Sequence, residues 1–144
     1  MMTIRKPAIR HSDSLFKFAR HETFHLRDGW LFKGLNVLQA DGSALYAEDA
    51  HHNLGIGLNM LKSLIFWLQA TNLVQTVPSG HVSSRQLQLT PLAQLIWERD
   101  PYFEDIKTLW LLHIELSSNR SLATFWYWVF NEFSQREFTE ERLV

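Results

Sequence analysis

The stretch Ala47-Glu48-Asp49-Ala50-His51-His52-Asn53-Leu54-Gly55-Ile56-Gly57-Leu58-Asn59-Met60-Leu61-Lys62-Ser63-Leu64-Ile65-Phe66-Trp67-Leu68-Gln69-Ala70-Thr71-Asn72-Leu73-Val74 decides the fold. Its spacing predicts a short helix over Ala47–Asn53, a tight link at Leu54-Gly55-Ile56-Gly57, and a longer helix over Leu58–Thr71. Two glycines permit the sharp turn that other residues resist. Asn72 can end the longer helix in a left-handed conformation. Beyond it, Leu73-Val74 and the alternating Gln86-Leu87-Gln88-Leu89 read as strands around a turn-rich tip, Thr76–Arg85, that contains Pro78-Ser79-Gly80. Helix, turn, helix and hairpin in this order predict a mainly α fold: a winged helix-turn-helix with a small β-hairpin wing.

Working outward, a weakly patterned helix is expected over Ser14–Leu26, ending at Asp28-Gly29, and another over Trp30–Gln39, with Asp41-Gly42-Ser43 as a turn. On the other side, Thr90-Pro91 pairs a capping residue with proline at the first helical position and predicts a helix to Arg99. Asp100-Pro101 repeats the pattern and predicts a helix to Leu116; Ser117–Ser121 links it to a helix over Leu122–Phe133. Leu122–Phe133 is apolar almost all round, which points to burial on several sides or to an interface such as a homodimer. We therefore divide the chain into a winged helix-turn-helix DNA-binding region, 1–90, and an aromatic-rich helical packing and dimerisation region, 91–144. Thr139–Val144 looks like the first turn of one more helix, stopping where its apolar face begins, so the chain is expected to be a truncated piece of a longer protein.

Composition narrows the chemistry. With 144 residues, 46% of them hydrophobic, there is material for one ordinary core or two small ones sharing an interface. The absence of cysteine excludes disulfides, Cys-ligated zinc, iron–sulfur clusters and thiol nucleophiles. No signal-peptide pattern and no long uninterrupted apolar run is present, so a cytoplasmic protein without a membrane span is expected. The net charge of −1 conceals an asymmetry: nine Lys/Arg against six Asp/Glu up to Leu89, then five against nine, and no acid at all between Gly55 and Leu89. A polyanion is drawn to the first part and repelled by the second.

On a helical projection, Met60, Leu61, Leu64, Ile65, Trp67 and Leu68 share one broad side of Leu58–Thr71, and Asn59, Lys62, Ser63, Phe66, Gln69 and Ala70 share the other. The second side fits a recognition helix in a major groove: Asn59 and Gln69 match adenine, Lys62 a guanine edge or phosphate, and Phe66 a thymine methyl. Ser83, Ser84 and Arg85 on the wing suit phosphate or the minor groove. The plainer alternative is an amphipathic packing helix with Phe66 buried by a neighbour. One lysine is little for phosphate neutralisation, so the module alone is expected to bind weakly.

His21-Glu22-Thr23-Phe24-His25 matches H-E-x-x-H, which on a helix gives two zinc ligands and a general base. Arg20 and Arg27 oppose a dication, and the run ends almost at once, so a structural or phosphate-facing histidine pair is favoured and no metal site is assigned. A divalent metal enters only if nuclease activity resides in His21, Glu22 and His25; no cofactor is otherwise expected. His113, sharing a face with Ile106 and Leu109, reads as a hydrogen-bonded core histidine.

Phe18-Ala19-Arg20-His21-Glu22-Thr23-Phe24 with Arg27 and Gly29-Trp30-Leu31, Leu54-Gly55-Ile56-Gly57 with Asn59-Met60 and Trp67, Asp100-Pro101-Tyr102-Phe103-Glu104-Asp105 with Trp110-Leu111-Leu112-His113, and Trp126-Tyr127-Trp128 with Phe130-Asn131 together resemble a bacterial family catalogued as a domain of unknown function. Leu89-Thr90 belongs to the same set. That family occurs beside DNA phosphorothioation genes and includes the SspB-like proteins of the Ssp anti-phage system, regarded as DNA nickases. The resemblance implies a DNA-binding role in phosphorothioation or in defence coupled to it, positioning a nicking or modification complex, with DNA and other phosphorothioation proteins as partners. A metal-dependent nuclease and a structural winged helix that binds proteins are the alternatives. Two departures stand out: the position of Leu58 is often basic in the family, and that of His25 often proline. Arg27, Trp30 and Lys33 are further candidates for a functional cluster.

Overall fold

The structure, a computed structural model, describes residues 24–78, 80, 85–135, 137 and 139. It is mainly helical with one antiparallel hairpin, in the order α1 (Trp30–Leu38), a 3-10 turn (Ala44–Tyr46), α2 (Ala50–Leu54), α3 (Leu58–Ala70), β1 (Val74–Pro78), β2 (Arg85–Leu89), α4 (Pro91–Arg99), α5 (Ile106–Ser118) and α6 (Thr124–Asn131). No helix among the described residues is long and apolar enough to cross a membrane.

The centre of the core is the crossing of α1 and α3. Trp30, Leu31, Gly34, Leu35 and Leu38 form the buried stripe of α1, and Leu61, Leu64, Trp67 and Leu68 face it from α3. Leu73 and Val74, Leu87 of β2, Ala93 and Ile96 of α4, and Leu112 and Leu116 of α5 join the same buried cluster. The cluster thus draws residues from both sides of the 90/91 division.

Local chemistry sets the chain reversals. Gly55, with φ of 65°, takes the left-handed conformation that ends α2, while Gly55 N–H donates to the His52 carbonyl and Ile56 N–H to that of His51, both at 3.0 Å. The same motif closes α3 around Asn72 (φ 55°): Asn72 N–H donates to Gln69 and Leu73 N–H to Leu68, again at 3.0 Å. Thr90 then joins three elements. Its hydroxyl donates to the Asn72 carbonyl at 2.7 Å and accepts from Ala93 N–H at 3.2 Å, its own N–H donates to Leu73, and Pro91 starts α4. The hairpin register pairs Val74 with Leu89 and Pro78 with Arg85.

Several boundaries differ from the sequence expectation. The helix expected over Ser14–Leu26 lies mostly outside the described residues, and Phe24–Arg27 is not helical: the Phe24 carbonyl accepts the Trp67 indole N–H at 3.1 Å from across the core. The helix expected over Ala47–Asn53 starts at Ala50, because the chain is still extended at Ala47 after the 3-10 turn that buries Leu45. β1 runs to Pro78, farther than the apolar run Leu73-Val74 suggested. Asp100-Pro101 does not start a helix. The Asp100 carboxylate accepts the N–H groups of Glu104 and Asp105, both at 3.0 Å, and so closes a turn; Asp105 caps α5 by accepting Lys107 N–H. Near the other end, α6 covers only Thr124–Asn131, and residues 140–144 lie outside the described set.

The Asp100 turn makes a pH-dependent contribution. Hydrogen bonding to the Thr108 side chain, reinforced by the two backbone donors and opposed by partial desolvation, holds the carboxyl below the ordinary carboxylate range. A lowered folded-state pKa means the contribution is complete above the unfolded value, about 3.9, and is lost as pH falls through the folded one. Asp100→Asn is expected to be less stable than the parent at neutral pH, with the gap narrowing below about pH 4. Denaturant unfolding across that range tests this; a gap independent of pH refutes it.

Candidate nucleic-acid interface

The expected recognition side of α3 is open at one end and closed at the other. Leu58 is 55% exposed and Asn59 and Lys62 are exposed, but Ser63 and Ala70 are inaccessible and Phe66 is only 9% accessible. Phe66 belongs to the core cluster and meets Trp67 edge-on, ring centroids 5.3 Å apart at 78°. The thymine-methyl role expected of Phe66 and the groove-facing role of Ser63 are therefore corrected: both side chains lie inside. α3 is covered on two sides, by α1 and also near its C-terminal end, where Asn119 in the α5–α6 link donates to the Ala70 carbonyl at 3.1 Å. Gln69 is half-buried and donates to Thr76 Oγ1 at 2.9 Å, fastening β1 to the helix.

What remains open is the first part of α3 and its approach. Lys33, on the exposed side of α1, donates to the Leu54 carbonyl at 3.4 Å and so sets its charge beside the turn that leads into α3. The fold thus brings Lys33 of α1 to the α2–α3 turn, a contact that neither the linear spacing nor the helical projection joined. On the hairpin, Arg85, Gln86 and Gln88 are exposed, and Gln75 donates across the strands to Gln88 at 3.4 Å. The hairpin fastens to α3 at Gln69, seven residues after Lys62, or about 10 Å along the axis at 1.5 Å per residue. Ser83 and Ser84 lie outside the described residues, as do His21 and Glu22.

The third member of the H-E-x-x-H pattern, His25, is exposed on non-helical backbone, so the one-face geometry that zinc ligation requires does not extend to it. Among the described residues no three of His, Cys, Asp and Glu are gathered as a metal ion needs. Arg27 lies over the rings of Phe24 and Trp30, 5.5 and 5.8 Å from their centroids; Trp30 itself is buried. Arg27 also helps to line a cleft of about 220 Å³ whose other walls include Phe32, Tyr102 and Phe103. Sequence reasoning named Arg27 but gave Tyr102 no role, because a residue in a turn leaves no periodic trace.

In the second half, α5 and α6 pack side by side. The Trp126 indole donates to His113 Nδ1 at 3.3 Å, the hydrogen bond expected of it, but His113 is half-buried rather than a core residue; Asn131 donates to the Ser117 carbonyl at 2.6 Å. Burial on several sides does not hold for α6: Phe125 and Phe130 are about half exposed, as are Ile106, Trp110 and Ile114 on α5.

Comparison with known proteins gives a consistent picture. A family model described as a protein of unknown function, DUF4007, matches residues 18–144. Two solved structures resemble the chain at 33% sequence identity over 88% of its length: a magnesium ion-bound SspB crystal structure, with a TM-score of 0.78, and an SspB crystal structure, with 0.77. The chain spans 39% and 40% of those two chains respectively. No curated protein sequence matches it.

Proposed function

The chain belongs to the DUF4007 family, and from that premise we propose that it is the DNA-binding module of a phosphorothioation or anti-phage defence protein, positioning a nicking or modification complex on duplex DNA. The observation that carries the reading is the exposed, acid-free start of α3. Asn59 and Lys62 are exposed there, Lys33 reaches the Leu54 carbonyl just ahead of the turn into α3, and residues 55–89 contain no Asp or Glu. Likeness to the SspB structures supports the phosphorothioation setting.

In this reading α2, α3 and the hairpin act as a winged helix-turn-helix. The first half of α3 enters the major groove, where Asn59 pairs with an adenine edge and Lys62 with guanine or phosphate. Arg85 on the wing takes a backbone phosphate, and Ser83 and Ser84 are proposed as further phosphate contacts. Residues 1–90 face DNA; residues 91–144 face partners, either a second copy or another phosphorothioation protein, through the exposed apolar side chains of α5 and α6. The module acts in the cytoplasm, and weak single-module affinity is offset by that second attachment.

Removing one cation from a DNA phosphate lowers the slope of log affinity against log salt by about 1. Lys62→Ala and Arg85→Ala are each expected to weaken binding to a short duplex across sequences and to reduce the slope by that amount, measured by salt-titrated gel shift. Unchanged affinity and slope in both variants refute the assignment.

A further inference from the structure

The cleft beside Arg27 carries features that the α3 interface does not use. It lies between the segment entering α1 and the turn joining α4 to α5, and at about 220 Å³ it is smaller than the roughly 300–1,000 Å³ of a drug-sized pocket. Its scale suits one planar ring system rather than a duplex. Leu31, Leu109 and Leu112 help to line it, so its interior favours an apolar, flat group.

Phe32 and Tyr102, which line the cleft, belong to a column of aromatic rings. Trp97 stacks on Phe32 with centroids 5.6 Å apart and planes 14° apart, and Tyr102 lies against Phe32 at 4.8 Å and 30°. The column ends at Tyr102, which is 64% exposed. An exposed ring at the end of a stack invites one more ring. The backbone that presents it is held in a costly conformation: Phe103 has φ of 58°, where bulky residues are rarely found. The Phe103 N–H and the Asp100 carbonyl, 3.1 Å apart, and the two N–H groups bound by the Asp100 carboxylate keep it there. Strain fixed by several independent bonds at a cleft wall is a mark of a binding site.

The mouth adds charge of both signs. Arg27 is exposed and oriented by Phe24 and Trp30, and Asp28 is exposed next to it. An aromatic ledge with one cation at its edge is how unpaired nucleotides are held, base on ring and phosphate on guanidinium. The neighbouring carboxylate repels a second phosphate and accepts hydrogen bonds from exocyclic amino groups.

We propose that this cleft receives a single unstacked base of single-stranded DNA, with Tyr102 as the stacking ring, Arg27 as the phosphate partner and Asp28 as the acceptor for an exocyclic amino group. The site is separate from α3 and shares with the preceding reading only the premise that DNA is the ligand. It implies that the protein engages duplex through one surface and an opened strand through another.

The test uses the 144-residue chain and fluorescence anisotropy with labelled single strands of about 12 nucleotides, alongside the matching duplexes. Tyr102→Ala is expected to weaken single-strand binding roughly 5- to 100-fold, the usual range for losing one base–aromatic stack. Tyr102→Phe keeps the affinity, and duplex affinity does not change in either variant. Asp28→Asn reduces the preference for adenine and cytosine strands over thymine, which has no exocyclic amino group. Single-strand binding unaltered by Tyr102→Ala, equal loss in Tyr102→Phe, or no single-strand binding by the parent chain overturns the proposal. Lys62→Ala and Arg85→Ala act on the duplex arm, so either reading can fail while the other stands.

Discussion

Leu68→Ala is expected to remove about 3–5 kcal/mol of folding stability, the range for a leucine truncated in a packed interior. A domain of this size holds some 5–15 kcal/mol in all, so the loss takes about a fifth of the total or more. Leu68 has no accessible surface and sits where α3 crosses Gly34 of α1. A Cβ added at Gly34 would lie 2.6 Å from Leu68 Cδ1 and 3.0 Å from Leu64 Cδ2, closer than packed carbons allow. Gly34→Ala alone therefore sets a gain of about 1 kcal/mol in helix propensity against an overpacking cost of about 1–3 kcal/mol, and is expected to destabilise. In the Leu68→Ala background the nearest clash is gone, and the same substitution is expected to stabilise. Urea unfolding of the four proteins measures the coupling, expected to exceed 1 kcal/mol. Additivity within about 0.5 kcal/mol would mean that the two helices do not meet at these residues.

The same crossing separates what was readable in the sequence from what was not. Thr90-Pro91 and Asn72 announce their roles locally, because a cap and a left-handed stop depend on a few neighbouring backbone groups; both boundaries fell where the residue types put them. Asp100-Pro101 carries nearly the same local signal as Thr90-Pro91 yet makes a turn. The difference lies in which N–H groups the side chain reaches: Thr90 binds that of Ala93, three residues on and inside a helix, whereas Asp100 binds those of residues four and five on. Spacing alone does not reveal that choice.

For the candidate interface, periodicity found α3 but overstated its open side. A helical projection assumes one buried face. α3 has two, and Ser63, Phe66 and Ala70 fall under the second. A small hydroxyl and an alanine look neutral in sequence, and a phenylalanine among polar residues looks like a group waiting for a ligand. Only the tertiary arrangement, with Asn119 reaching back to the end of α3, shows that side to be enclosed. The reverse holds at Tyr102 and Lys33, ordinary residues that the fold sets beside Phe32 and the Leu54 carbonyl, far away in the chain. In the cleft the ring and the cation come from segments some 75 residues apart in the chain, at Arg27 and Tyr102.

Gly42→Ala carries the second large expected effect and ties the fold to the hairpin proposed to face DNA. β2 is anchored on its outer edge by Leu87 N–H donating to the Gly42 carbonyl at 2.8 Å. A Cβ at Gly42 would stand 2.7 Å from the Leu87 carbonyl oxygen, and the obstacle is backbone rather than a movable side-chain end. The turn has little freedom to retreat, since the Asp41 carboxylate binds both the Ser43 N–H, at 2.8 Å, and its hydroxyl, at 2.7 Å. Losing the Leu87 bond costs about 1 kcal/mol and the strain about 1–3 kcal/mol more, for an expected total of about 2–4 kcal/mol. Gly80→Ala is the control: a Cβ there meets nothing within 4 Å, and its effect is expected within about 0.5 kcal/mol. Since β2 presents Arg85 while Lys62 sits on α3, folded Gly42→Ala protein is expected to bind duplex without the wing, lowering the salt slope by about 1 rather than 2. Full stability in Gly42→Ala would show that β2 does not rest on this turn; an unaltered slope despite reduced stability would detach Arg85 from the DNA-binding surface.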